Sequence, residues 1–283
     1  MATQLAQSLD ALVAHPPSGR PRAVLIDSQD YAQTVVLQNK PIPWHDHTAY
    51  ANFFSQSQRL LQPDFALLAL DRFMAVALAH NVPLQTAMAA KPRTGFALRT
   101  LLADAATSQL VVAFAQVFEK TQSEPVVLQI PSPMQWLAQT SVYSPHHDAG
   151  ENDPVELHAD DAENAAMYVA DWLRGFAGLS LAGVILEDRP VRADGHEASA
   201  TITPQVALNV YSPLANIADH YNWTLGLRDS LSVVLRGIAA GAVIPKEFWY
   251  GQNCHLGEGD FLFGEIPSDA VPEVVLAQMA KIV

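Results

Sequence analysis

Three short apolar runs in the second half of the chain limit what it can fold into. Residues 181–188 read LAGVILED, residues 206–212 read VALNVYS and residues 224–229 read TLGLRD. Each run ends abruptly in polar or charged side chains. A parallel strand buried on both faces has this form, because only its C-terminal end meets water or a ligand. In α/β folds those ends carry the chemistry.

The rest of the chain supplies enough such pieces for one large core. In order, the pattern predicts a short helix over 3–14, a strand over 23–27 (AVLID) and a loop excursion over 31–44. Helices are expected over 47–61 and over 64–80, the second capped by Asp64. A strand at 82–88 (VPLQTAM), a basic loop at 91–95 and a long helical stretch at 96–119 follow. Next come a strand at 125–131 (PVVLQIP), an acidic loop at 151–161 and an amphipathic helix at 162–176. After the 181–188 strand, residues 189–204 read as a polar loop or hairpin. The strands at 206–212 and 224–229 flank a helix at 213–220. A helix over 230–240, strands at 242–244 and 260–266 and a closing helix over 269–282 complete the series. Eight strands alternating with helices predict a single (β/α)8 barrel domain over 1–283, with an open doubly wound α/β sheet as the alternative.

Composition narrows the partners. Of 283 residues, 49% are hydrophobic and 16% charged, which suits a large buried core and excludes a disordered or coiled-coil chain. A net charge of -13 speaks against a nucleic-acid or anionic-membrane surface, and solubility is its simplest meaning. The single cysteine excludes an internal disulfide or a multi-cysteine zinc site. The first residues lack a signal-peptide pattern, and the apolar stretches at 65–79 and 110–117 are short or broken by Asp71, Arg72 and Gln116. The expectation is a cytoplasmic protein acting on a small molecule. It has no nucleic-acid or membrane partner and no cofactor, and a homo-oligomer is left open.

From about residue 125 onward the segments ENAAMYVADWLRGFAGLSLAGVILEDRP, NVYSPLANIADHYNWTLGLRDSLS and VIPKEFWYGQNCHLG resemble the cobalamin-independent methionine synthase barrel. The wider group includes uroporphyrinogen decarboxylase. The resemblance implies a (β/α)8 barrel with lyase or transferase chemistry at its mouth. In the methionine synthases a His and a Cys two apart, a Glu on the next strand and a Cys in a late loop hold zinc. Here those positions fall on Leu208, Val210, Arg228 and Cys254. One thiolate cannot supply the four ligands zinc needs, so the chain is similar to a divergent member without zinc-activated thiol methylation.

The candidate residues follow from the strand ends. Glu187 and Asp188 can bind substrate or act as a general base; as plain structure they are a solvated strand end, with Asp188 paired to Arg189. Arg228 can clamp an anion, or bridge to Glu187 or Glu265 across the mouth. Tyr211 can donate a proton, or pack as a lid. Gln129 and Glu265 are substrate-binding candidates, and Asp27 is similar. Cys254, beside His255 in a Gly-rich loop, is a candidate nucleophile or a remnant. His45 and His47 have the spacing of a metallohydrolase pair, although Asp46 can equally be a helix cap; His146-His147 is a weaker pair. Residues 91–99 offer an anion site or a solvated basic loop. The expected chemistry is metal-free acid/base work by Glu187 or Asp188 on a small polar or anionic molecule. A non-catalytic binding or partner protein and a hydrolase using His45 and His47 are the alternatives.

Overall fold

A computed structural model describes residues 7–144, 157–189, 203–237 and 239–282. The first half holds α1 (Leu9–Ala14), β1 (Ala23–Asp27), α2 (Gln29–Val35), α3 (His47–Leu61), β2 (Ala66–Ala69), α4 (Leu70–Ala79), α5 (Val82–Met88), α6 (Phe96–Ala103), α7 (Ala105–Thr121), β3 (Val126–Pro131) and α8 (Pro133–Ser141). The second half holds α9 (Ala159–Leu173), β4 (Leu181–Glu187), α10 (Ser212–Tyr221), β5 (Thr224–Arg228), β6 (Ser232–Leu235), β7 (Ala239–Val243), α11 (Lys246–Trp249), β8 (Phe261–Glu265) and α12 (Pro272–Met279).

The strands form one sheet in the order β1-β8-β7-β6-β5-β4-β3-β2, curled into a nearly closed barrel with helices around it. Seven strands run parallel, and β6 runs against both of its neighbours. The α/β class is as expected, but the regular alternation of a (β/α)8 barrel is broken. Residues 230–240, expected to be helical, form the hairpin strands β6 and β7 instead. Asp229 makes the first turn by accepting from the backbone N–H groups of Leu231 (2.8 Å) and Ser232 (2.7 Å). Gly237, at φ +81°, makes the second, where the left-handed region favours glycine.

Two other strands were misplaced. Residues 82–88 are helix α5, with Asn81 accepting from the Leu84 N–H at 3.2 Å and Pro83 in the first turn, where a missing N–H does no harm. The second strand is Ala66–Ala69, inside the predicted 64–80 helix, whose true start is Leu70. Residues 206–212 are not a strand either; Leu208–Val210 form a single 3-10 turn leading into α10.

Asp64 is not a helix cap. It joins the two open edges of the sheet: the Val24 N–H donates to its Oδ2 at 2.9 Å, and its own N–H donates to the Val24 carbonyl at 2.9 Å. Its Oδ1 accepts from the Ser18 N–H at 2.8 Å. One carboxylate thus replaces part of the missing β1–β2 ladder.

Alternation along the strands separates three apolar layers. Leu25, Leu67, Val127, Ile185, Val233, Phe261 and Phe263 fill the barrel, and α1 plugs its base with Leu9, Leu12 and Val13. Gly183 permits the plug, since a Cβ there would lie 2.6 Å from the Thr224 carbonyl oxygen and 3.3 Å from Leu9. Helices α3 to α10 cover β2–β5 outside, and α11 and α12 cover β1, β7 and β8. Among the described residues no single helix is long and apolar enough to cross a membrane.

Asp64→Ala should destabilise the protein by about 1–3 kcal/mol for each buried N–H it leaves unpaired. Asp64→Asn should cost less, because its carbonyl oxygen still accepts. Urea unfolding of the two variants checks this; equal losses would show that the clasp is not what Asp64 contributes.

Candidate functional site

On β1, β3, β4, β5 and β8 the inward-facing positions stay apolar along the strand and turn polar at the last one. Asp27, Gln129, Glu187, Arg228 and Glu265 lie two residues beyond the inward Leu25, Val127, Ile185, Gly226 and Phe263. Register aligns them: Asp27 is opposite Glu265, and Glu187 is opposite Arg228. The top layer of the barrel interior is therefore polar.

Arg228 is at its centre, 1% exposed. Its Nη1 donates to Glu187 Oε2 at 3.1 Å and its Nη2 to Glu265 Oε2 at 2.6 Å, with the guanidinium carbon 4.1 Å from the Phe263 ring centroid. Arg189 closes the set from above. Its Nε and Nη2 hold the two oxygens of Glu187 at 2.9 Å each, and its Nη1 reaches Glu265 at 2.9 Å. Burial alone would raise the Glu265 pKa, but Arg228 and Arg189 outweigh it and hold the carboxyl below its ordinary value. Two guanidiniums and two carboxylates thus neutralise one another, with Arg228 Nε left unpaired.

A second set lies beside β1 and β2. Arg72 pairs with Asp27 at 3.4 Å and with Asp30 at 2.5 Å. Its neighbour Asp71 has a buried Oδ1 with no hydrogen-bond partner. Burial pushes the Asp71 pKa up to about 6 against the pull of Arg72, with Glu187 and Asp27 adding to the rise. Gln29 Nε2, Gln129 Oε1 and Arg228 Nε are also buried without partners. Gln29 is otherwise held by the Tyr50 hydroxyl, which donates to its Oε1 at 2.9 Å.

The third set is on the rim. Asp188 follows Glu187 and so faces the other way, toward the start of α8. The Ser132 hydroxyl donates to Asp188 Oδ1 at 2.5 Å while accepting from the Gln135 N–H at 3.1 Å. The Asp188 N–H donates to the Arg228 carbonyl and the Ser132 N–H to the Glu187 carbonyl, so the ladder fixes both residues beyond the strand ends. Burial raises the Asp188 pKa to about 6, Glu187 and Asp229 add to it, and the Ser132 bond opposes it. Tyr211 is fully buried beside Ser132 and Met134, its hydroxyl making no well-aligned hydrogen bond. Burial and the Asp188 charge both hold its proton on.

The structure thus unites Glu187, Arg228 and Glu265, with Gln129 on the same inward layer, and sets Asp188 with Tyr211 at the rim. Arg189 pairs with Glu187 and Glu265 rather than with Asp188. Cys254 is in neither group; it packs against the apolar layer under α11 and α12. His45 is exposed, and the His47 ring meets Phe73 and Phe114 edge-on, its pKa lowered by burial despite nearby Asp46. Asp46 caps α3 by accepting from the Ala49 N–H at 2.9 Å. Among the described residues no three His, Cys, Asp or Glu side chains are grouped to hold a metal ion. In the basic stretch Lys91 lies over Phe96 and Arg99 over Tyr168. His146-His147 lies outside the described residues. Asp71, Arg72 and Ser132 are the participants the sequence reading missed.

No protein-family model, no curated protein and no solved structure matches this chain.

Asp71 and Asp188 give a pH signature. Their folded pKa values lie above the ordinary carboxyl value, so the stability they contribute is fully present below about pH 4 and lost as pH rises through about 6. Asp71→Asn should flatten the decline in stability between pH 4 and pH 6. Denaturant unfolding across that window reads the slope, and an unchanged slope would refute it.

Proposed function

We propose that the chain is a small-molecule enzyme on a divergent barrel of the (β/α)8 kind. The mouth would carry out metal-free acid/base chemistry, with Asp188 as the residue that takes and returns the proton. The observation that carries this reading is the Ser132–Asp188–Tyr211 grouping at the C-terminal rim. A half-buried carboxyl there is bonded to a hydroxyl and lies next to a buried phenol, and its pKa is tuned close to neutrality. A general acid/base works best with a pKa near the working pH, and carboxyls perturbed in this way are candidates for function. Glu187 is the weaker candidate, because both of its oxygens are already held by arginines.

The short-motif resemblance to the methionine synthase and uroporphyrinogen decarboxylase group supports decarboxylation or group transfer as the reaction class. Arg228, expected to clamp an anion, has both terminal nitrogens bound to carboxylates. Its role in this reading is to position Glu187 and Glu265. The same self-satisfied set favours a second reading, a non-catalytic binding protein that keeps the fold, in which the four charges only lock the mouth.

Carbon-13 NMR of the aspartate carboxyls tests the first reading without a known substrate. Asp188 should titrate near pH 6, and Ser132→Ala should move it higher by removing the bond that stabilises the carboxylate. An Asp188 carboxyl titrating at the ordinary value would end the acid/base role. Thermal-shift screening with carboxylates, thiols and folates then searches for the substrate.

A further inference from the structure

Orphaned polar atoms concentrate at the mouth, and they are of both kinds. Gln29 Nε2 and Arg228 Nε are donors without acceptors, while Gln129 Oε1 and Asp71 Oδ1 are acceptors without donors. Gln29, Gln129 and Arg228 are each at least 96% buried. An unpaired buried polar group costs about 1–3 kcal/mol, and a site that leaves several of them at one end of a barrel is arranged for a ligand that pairs them.

Charge selects among ligands. Among the described residues, Asp27, Asp30, Asp71, Glu187, Asp188 and Glu265 face Arg72, Arg189 and Arg228. Arg72 is shared by Asp27 and Asp30, and Arg189 and Arg228 by Glu187 and Glu265. Among the described residues the terminal nitrogens of Arg228 and the guanidiniums of Arg72 and Arg189 are already matched by carboxylates. The single unpaired N–H on Arg228 Nε offers one donor to a neutral oxygen rather than a two-pronged clamp for a carboxylate or phosphate. What is left over is carboxyl: Asp71 in the interior and Asp188 on the rim. We infer that the mouth binds a small molecule bearing a protonated amine and a hydroxyl-like end, and no anionic group. The ammonium pairs with Asp71, and the hydroxyl bridges the amide groups of Gln29 and Gln129. This deepens the reading of the mouth as the working site and rests on it.

Three four-carbon probes that differ at one end test the inference: 4-amino-1-butanol, 1,4-butanediol and 4-hydroxybutyrate, titrated calorimetrically at pH 7.5 and matched ionic strength. The amino alcohol should bind at least tenfold more tightly than the hydroxy acid. Its affinity should fall about tenfold or more in Asp71→Asn, while that of the diol stays the same. In the unaltered protein its affinity should also fall as the pH drops from 7.5 to 5 and Asp71 takes up a proton, which needs no variant to fold. Tighter binding of 4-hydroxybutyrate, lost in Gln129→Ala, would overturn the amine preference and keep the mouth as the ligand site. Amine binding indifferent to Asp71→Asn and to pH would place the ligand elsewhere and overturn the inference. Silence from all three probes would overturn it too. The acid/base reading stands or falls separately, on the Asp188 titration.

Discussion

A guanidinium buried at the top of a barrel must be paired, and meeting that demand organises the working end of this protein. Arg228 can remain 1% exposed only because Glu187 from the adjacent strand and Glu265 from across the mouth both reach it. Removing two charges from water costs several kcal/mol per ion, so such a set is tolerated only when its geometry is good and most of its remaining valences are filled. Here Arg228, alone of the four side chains, keeps a buried polar atom unpaired, its Nε. Arg189 fills the remaining valences of Glu187 and Glu265, and the Phe263 face fills the space under the guanidinium. The ends of β4, β5 and β8 are thereby held in one arrangement. The carboxyls outside the set, Asp71 and Asp188, are left with perturbed affinities for protons.

Below that layer the barrel is apolar, and its closure depends on small local devices. Asp64 stands in for strand pairing at the single open seam, and α1 seals the base through Leu9 against Gly183. These devices do not touch the mouth directly. They fix where the ends of β1 and β2 are, and therefore where Asp27, Asp71 and Arg72 can meet.

The strand ends were legible because a run such as LAGVILED has only one way to place its acids, and the same holds for TLGLRD and DFLFGEI. Glu187, Arg228 and Glu265 could be read directly from them. β2 was not legible. FALLALDRFMAVALAH is apolar almost throughout, so neither the period of a strand nor that of a helix stands out, and the strand-to-helix change at Leu70 leaves no mark. Asp71 and Arg72 are hidden with it, since both fall in the interior of the expected 64–80 helix and not at a strand end. SLSVVLRG forms β6 and not the expected helix because its adjacent valines favour a strand, a local propensity that the alternation of strands and helices does not override. The Arg189 partner was misjudged for a simpler reason: neighbours on a strand face opposite ways, so Glu187 turns inward to the arginines and Asp188 turns outward to Ser132.

A double-mutant cycle of Arg228→Met and Glu265→Gln, read by denaturant unfolding, tests the buried charge set most directly. The account predicts strong non-additivity: each single change strands a buried charge or an unmatched donor, and the pair together costs far less than the sum, with a coupling of about 1–3 kcal/mol. Additive losses would show that the two side chains do not depend on each other, and the description of the mouth as one closed arrangement would fail.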